Sequence, residues 1–277
     1  MKQKKRVVGI AMIMTILILS LSGCGVTKAS LLTNIGKNML VAKSLTMKAA
    51  IDSTLTGEVM GATVDAKVSA NMDTDVNLNP FVGHGKGAMS FEVLGQSQTV
   101  NAEVYEEVVD NRLNVFASAD GTTWHTRSSQ LDDSNFKFYG IAGIAKLGDM
   151  LELEDKTEML DGEECYVLTG EIDGQTLEQV IKLVMGDEGQ MKELLKDVDW
   201  SGRQAPTKIY VSKKNKHLVK LSFDIIGVMD AAMESALGPF SGMLKCSECT
   251  LDITFSNYNK VEPIVIPDDV RNNAEKG

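Results

Sequence analysis

Regular alternation of apolar and polar residues in the first half of the chain most constrains its fold. In the clearest stretch Val64, Ala66, Val68, Ala70 and Met72 occupy every second position, with polar residues between them. Because successive side chains of a β-strand point to opposite faces of the sheet, this pattern predicts a strand with one buried and one solvated face. Sheets built from such strands are typically antiparallel.

The alternation recurs in neighbouring segments, which are separated by turn signals at Gly57, Gly61 and Asp120-Gly121. The further alternating segments are Met47–Leu55, Met89–Val93, Val100–Val104, Leu113–Ala117 and the short stretch Trp124–Arg127. Five or six consecutive strands of this kind predict a large antiparallel meander.

The second half mixes strands with helical spacing. Helices are predicted over residues 30–43 with Ser30 as N-cap, over residues 138–151, and from Thr176 as N-cap through Met185 and on to Val198. Strands are predicted at residues 165–172, 209–211, 219–225 and 249–255, with turns at Asp161-Gly162, at Asp173-Gly174 and at residues 213–215.

This order has no regular repeat of strand, helix and parallel strand, which argues against a doubly wound sheet. The predicted fold is α+β: a large curved antiparallel sheet, forming an incomplete β-barrel, with helices packed on its concave face. Small residues recur on the faces expected to point inward, at Ala49, Ala66, Ala70, Ala88, Ala102 and Ala117. They indicate either helices packed close to the sheet or room left for a ligand.

The N-terminus has a distinct composition. A basic start at residues 2–6 precedes a 15-residue apolar run, Val7–Leu21, and then Ser22-Gly23-Cys24. The run is shorter than the roughly 20 residues of a membrane-spanning helix. The segment resembles a bacterial lipoprotein signal peptide with its lipobox, although an uncleaved anchor helix is the alternative. The resemblance implies cleavage after residue 23, a diacylglyceryl group on Cys24, and an extracytoplasmic protein anchored to the cell membrane by its lipid, on the outer face of a Gram-positive cell.

The expected organisation is therefore a cleaved signal (1–23), a short lipidated tether (24–29), one domain (30–267) and a frayed tail (268–277). Without residues 1–23 the chain has 24 basic against 38 acidic residues, a net charge of −14. Such a charge disfavours nucleic acid as a partner and is repelled by anionic headgroups.

Cys246-Ser-Glu-Cys249 is the most distinctive local pattern. A disulfide between these two cysteines requires a turn at Ser247-Glu248, because residues three apart in an extended strand lie about 10 Å from each other. The alternatives are pairing of Cys165 with either cysteine, or free thiols. A redox motif would need a following helix and a zinc site would need four ligands, and neither is evident.

A Met-rich segment, Val228–Leu244, interrupts the late strands and is itself broken by Gly238-Pro239. One interpretation is a helix and loop that cover the core. The other is a flap over a hydrophobic cavity, because methionine adapts to irregular apolar surfaces. The candidate flap residues are Met229, Met233, Leu237, Phe240 and Met243.

Motifs for catalysis are lacking in the sequence. Gly83–Gly87 lacks the spacing of a phosphate-binding loop, residues 73–79 lack the glycine and glutamate of a calcium loop, and the three histidines are scattered. Acidic pairs such as Glu106-Glu107 are interpreted as solvated edges. We expect no enzymatic activity, no metal and no cofactor.

Several segments resemble the LolA/LppX-type lipoproteins (LppX/LprG-type), most closely Gram-positive members. They are Tyr166–Gly174, Lys208–Ser212, Lys216–Phe223 and above all Phe255–Val270, which reads FSNYNKVEPIVIPDDV. The resemblance implies an incomplete antiparallel barrel wrapped over helices, which in some members carries lipid.

Two functions follow as expectations. The favoured one is a membrane-anchored lipoprotein that binds a lipid or another hydrophobic ligand. The alternative is a structural or protein-interaction lipoprotein of the envelope with a filled core, whose protein partner the sequence does not identify. An extracellular hydrolase would require a cluster of ionisable groups that the sequence does not suggest.

Overall fold

The structure is a computed structural model that describes residues 26–59, 62–130, 147–185, 198–237 and 244–276. The signal segment and Cys24 lie outside these residues. Within them, thirteen strands form one sheet. The strands are β1 Ser44–Val59, β2 Ala62–Leu78, β3 Phe81–Val93, β4 Gln96–Val109, β5 Arg112–Ser118, β6 His125–Gln130, β7 Leu151–Leu153, β8 Glu158–Leu160, β9 Glu163–Asp173, β10 Gln204–Ser212, β11 Leu218–Asp224, β12 Leu244–Ser256 and β13 Glu275–Lys276.

The sheet is open and runs in the order β13-β6-β5-β4-β3-β2-β1-β12-β11-β10-β9-β7, with β8 also paired to β9. All pairs are antiparallel except β13 with β6. The predicted fold class is thus confirmed: one large, open, antiparallel-dominated sheet with a few helices. The central pair joins the first strand to the last long one, with Met47 opposite Phe255 and Ile51 opposite Leu251.

Four helices are delimited in the described residues: α1 Lys28–Val41, α2 Gly174–Met185, α3 Ile226–Leu237 and α4 Asp268–Asn273. None of the described helices has the length and hydropathy needed to cross a membrane. Residues 147–150 are also helical, but Leu151 begins strand β7 instead of ending the predicted helix. The rest of that prediction, residues 138–146, lies outside the described residues.

The two predicted N-caps are corrected by the structure. In α1 the cap is Thr27, whose Oγ1 accepts a hydrogen bond from the Ser30 N–H at 3.2 Å, while the Ser30 hydroxyl accepts one from the Thr27 N–H at 3.1 Å. Ser30 is therefore the second member of a capping box. In α2 the cap is Asp173, whose carboxylate accepts a hydrogen bond from the Thr176 N–H at 2.7 Å. Thr176 therefore lies within the first turn of the helix and supplies the donor that is capped.

One face of the sheet carries the main core. Its strand residues come from β1, the end of β2, β7 and β9–β12, and its helical residues from α1, α2, α3 and residues 147–150. Its largest fully buried members are Leu31 and Ile35 of α1, Leu177 and Val180 of α2, and Leu151, Leu168, Ile172, Val211, Phe223 and Leu251 of the strands. The helices therefore cover the half of this face that is centred on β12, β11 and β10.

A second, smaller core lies on the opposite face and is closed by the C-terminal segment. Tyr105, Phe116 and Trp124 pack there against Ile266 and Val270, which are 1% and 2% exposed. The segment predicted to be a frayed tail instead forms α4 and then β13, which pairs with β6. Burial of the apolar side chains of Ile266 and Val270 on the sheet stabilises the C-terminal segment in this ordered position.

A candidate hydrophobic binding face

The face that carries the main core continues across β2–β5 as an apolar surface that no helix of the main core buries. We call it the open apolar face. Its members are Val64, Val68 and Met72 of β2, Met89, Phe91 and Val93 of β3, Val100 and Val104 of β4, and Leu113 and Val115 of β5. None of these ten belongs to a buried cluster among the described residues.

The strand register aligns these side chains in rows across the sheet. Phe91 lies opposite Val68, and Met89 lies between Ala70 on β2 and Val100 on β4. Phe91 and Val100 are 43% and 56% exposed. The alternation in the sequence thus correctly predicts which face of the sheet these residues occupy. Ala88 is the exception among the alanines expected inward, because its register with Asn71 places it on the other face.

Three glycines of β3 (Gly83, Gly85 and Gly87) lower the middle of the open apolar face. They occur at alternate positions, so all three lie on that face. The Met72 sulfur lies 3.1 Å from the place where a Cβ on either Gly85 or Gly87 would stand. Side chains of neighbouring strands therefore lean over β3, and the glycines form the floor of a groove.

Glu106 is the one carboxylate in this row of apolar residues on β4. It lies opposite Gly83 on one side and Val115 on the other, and its Oε2 is 3.7 Å from the position of a Cβ on Gly83. Burial raises the pKa of the Glu106 carboxyl above its ordinary value. The side chain is nevertheless only half-buried. The surroundings of Glu106 thus exclude much of the water, yet part of its side chain stays accessible. This combination indicates a recess at the inner end of the groove.

The reverse side of the same strands carries a polar network beside the second core. There the His84 ring stacks on Tyr105 with ring centroids 4.2 Å apart, and His84 Nε2 lies 2.7 Å from Glu103 Oε1. Burial acts to raise the pKa of Glu103, but hydrogen bonds with His84 and Lys86 lower it overall. This network anchors β3 to β4 from behind, and it leaves the groove side to apolar residues.

The interpretation of Glu106-Glu107 as a solvated edge is wrong. Glu106 faces the groove, and Glu107, 7% exposed, pairs with Arg271 on the other face. The alternation in the sequence already indicates that Glu106 lies on the apolar face, because it is in phase with Val100, Ala102 and Val104.

The predicted flap residues fall into two groups. Met233 is 9% exposed within the main core, and Met229 is half-buried against it, so α3 covers the core as one interpretation expected. The side chain of Leu237, and Phe240 and Met243 altogether, lie outside the described residues. For these three, the flap stays a prediction.

The three cysteines of the described chain are free and buried, so the disulfide proposed for Cys246 and Cys249 is not formed. Strand β12 continues through both positions with a bulge instead of a turn: Cys249 lies opposite Ser53, Cys246 opposite Leu55, and the register shifts between them. The extra residue puts both thiols on the core face. Burial raises the pKa of Cys249 to about 12 and that of Cys165 to about 11.

Comparisons with solved structures give similarities of low identity. LprF from Mycobacterium bovis is 16% identical with a TM-score of 0.46, over 87% of this chain and 96% of that one. Lipoprotein LppX from Mycobacterium tuberculosis is 16% identical with a TM-score of 0.39, over 86% and 99%. A DUF1329 family protein from Desulfovibrio piger is 12% identical with a TM-score of 0.20, over 87% and 94%.

A search of curated proteins finds no match. A family model, in contrast, matches residues 27–275, which include all the described helices and, apart from its last residue, the whole sheet. The chain therefore belongs to the family of unknown function DUF6612.

Proposed function

We propose that this protein is a non-enzymatic lipoprotein, held at the outer face of the cell membrane through Cys24, that binds a lipid or another hydrophobic ligand in the groove of the open apolar face. The observation that carries the proposal is this face itself. Ten apolar side chains are aligned over four strands, yet they belong to none of the described buried clusters. Covering such side chains is worth about 25 cal/mol per Å² of apolar surface, which a hydrocarbon ligand would supply.

The length of the open apolar face suits an acyl chain. From Val93 to Gly83 strand β3 rises by about 33 Å, at roughly 3.3 Å per residue. One leaflet of a bilayer core is about 15 Å thick, so an extended acyl chain fits within this length.

The position of Glu106 narrows the ligand to an amphiphile. A hydrocarbon alone would leave the carboxylate without compensation, whereas a hydroxyl or ammonium group of the ligand would donate to it. We therefore place the polar end of the ligand at Glu106 and its apolar chain toward Phe91.

Native mass spectrometry of the full chain, extracted from the membranes of its own host in a mild detergent, tests this proposal. We expect an adduct with the mass of a lipid. Val68→Asn places an amide in the groove and should remove most of the adduct, while Lys67→Asn, one residue earlier and on the opposite face, should retain it. An adduct-free wild type with no binding of the neutral fluorescent probe N-phenyl-1-naphthylamine would instead favour an envelope-interaction protein without a ligand.

A further inference from the structure

The hairpin that joins β3 to β4 is exposed along its whole outer part. Every residue from 91 to 101 is exposed, on both faces of the two strands. We call this segment the β3–β4 tip. Its apolar members are well exposed: Phe91 at 43%, Val93 at 44%, Leu94 at 76% and Val100 at 56%. Apolar residues grouped on an exposed hairpin indicate a surface that meets an apolar environment.

The apex of the tip carries a residue that the turn itself does not favour. Leu94 and Gly95 form a two-residue turn with φ values of 53° and 76°. Both positions need positive φ, which Asn, Asp or Gly adopts readily and a bulky side chain does not. Leu94 therefore costs conformational energy and, at 76% exposed, gains little from packing within the chain. A contact outside the chain would offset this cost.

The tip is nearly uncharged although the chain as a whole is acidic. Between residues 91 and 101 the only ionisable side chain is Glu92, which lies opposite Lys67 of β2. The polar positions are Gln96, Ser97, Gln98, Thr99 and Asn101. Insertion of this segment into a bilayer interface would thus desolvate few charges, and anionic headgroups would repel it little.

The apolar residues of the tip are continuous with the open apolar face. Val93 lies opposite Ala66, Phe91 opposite Val68, and Val100 opposite Met89. One apolar track therefore runs from Leu94 at the apex to the groove and ends at Glu106.

We propose that the β3–β4 tip inserts into the interface of the lipid bilayer and forms the entrance through which a membrane lipid enters the groove. Its role as an entrance rests on the proposed function, whereas its insertion into the bilayer does not. Phe91, Val93, Leu94 and Val100 would lie among the acyl chains, and a lipid would slide along their side of the sheet without crossing water.

A depth measurement on the full chain tests the insertion. The chain is reconstituted into phosphatidylcholine vesicles with a nitrobenzoxadiazole probe on Leu94→Cys, and in a matched sample on Asn111→Cys, which lies in the β4–β5 turn at the other end of the sheet. The three described native thiols are buried and should not take up the label. With doxyl-labelled phosphatidylcholine in the vesicles, the probe at position 94 should lose most of its fluorescence and shift to the blue, and the probe at 111 should do neither.

Equal quenching at the two positions, or none at position 94, would overturn the insertion. A blue shift at 94 that needs no lipid and grows with protein concentration would overturn it in favour of contact between two copies. The lipid adduct measured on the same preparations separates the two proposals. An adduct without quenching at position 94 would contradict only the insertion of the tip. Quenching without an adduct would contradict only the proposal that the groove binds a lipid.

Discussion

Arg271 of helix α4 pairs with Glu107 of strand β4 through both carboxylate oxygens: Nη1 donates a hydrogen bond to Oε1 at 2.8 Å, and Nη2 lies 2.8 Å from Oε2. The Glu107 side chain is only 9% exposed, so this pair fixes the C-terminal segment on the back of the sheet. The groove faces the other side of the same strand. The stability of the strand that carries Glu106 is therefore linked to a residue near the end of the chain.

Replacing Arg271 with alanine should lower the free energy of unfolding by about 2 kcal/mol, because it leaves a buried carboxylate without its bidentate partner. This loss of unfolding free energy is smaller than the loss expected for a fully buried ion pair, because the Arg271 side chain is 40% exposed. Urea denaturation followed by circular dichroism measures it. Lys48→Ala removes a half-exposed ion pair with Asp73 and should cost less than about 0.5 kcal/mol. Equal losses in the two variants would contradict the role of the Arg271 pair.

Gly87 and Gly83 should respond differently to alanine. A Cβ on Gly87 would overlap the carbonyl oxygen of Asn71, whereas one on Gly83 would meet Glu106 at an ordinary 3.7 Å. We expect Gly87→Ala to destabilise the fold by about 2 kcal/mol through overpacking, and Gly83→Ala to be neutral within about 0.5 kcal/mol. Thermal unfolding of the two variants makes the comparison, and a Gly87→Ala variant as stable as wild type would count against the close packing of β2 on β3.

Glu106→Gln should make the protein more stable at neutral pH. Burial raises the pKa of Glu106 in the folded state, so its neutral form is favoured below the unfolded value of 4.5 and that stabilisation is lost as pH rises through the folded pKa. Glutamine stays neutral throughout. The variant should therefore exceed wild type in unfolding free energy at about pH 7 and match it below about pH 4.

Urea denaturation at the two pH values tests this, with Glu92→Gln on the exposed tip as the control for loss of one charge. If Glu106→Gln were less stable than wild type at pH 7, Glu106 would have a partner that its anionic form needs.

The buried thiols should resist alkylation until the protein unfolds. The folded-state pKa values of about 11 for Cys165 and about 12 for Cys249 lie above the ordinary value of 9.0, so few reactive thiolates exist near neutral pH. Iodoacetamide followed by peptide mass spectrometry should modify none of the three in the native protein and all three in urea without reductant. Modification of Cys165 alone in urea would indicate the disulfide that the structure lacks.

The raised pKa values of Cys165 and Cys249 also predict that the fold loses stability at alkaline pH. A thiol whose folded pKa is raised stabilises the fold below its unfolded pKa, and this contribution is lost as pH rises through the folded pKa. Unfolding free energy should therefore fall between about pH 9 and about pH 12. Cys249→Ala, compared with wild type at both ends of that range, should reduce the fall.

The sequence predicts a structural feature well when that feature depends only on residues close together in the chain. Alternation in β2 and the turn at Asp161-Gly162 are set by residues next to each other, and both appear in the structure as expected. The predicted caps of α1 and α2 both lie three residues too late in the chain, because the residue that caps a helix depends on where the preceding chain turns.

The sequence by itself determined an antiparallel sheet and which way most of its side chains point, because a period of two is a property of neighbouring residues. Only the tertiary structure decided which part of that face is covered. Pairing of β1 with β12 brings α1, α2 and α3 over one half of the sheet, and the C-terminal segment packs behind the other half. Among the described residues, that distribution of distant segments leaves the apolar face of β2–β5, with Glu106 at its inner end, outside the buried clusters, and no local pattern encodes it.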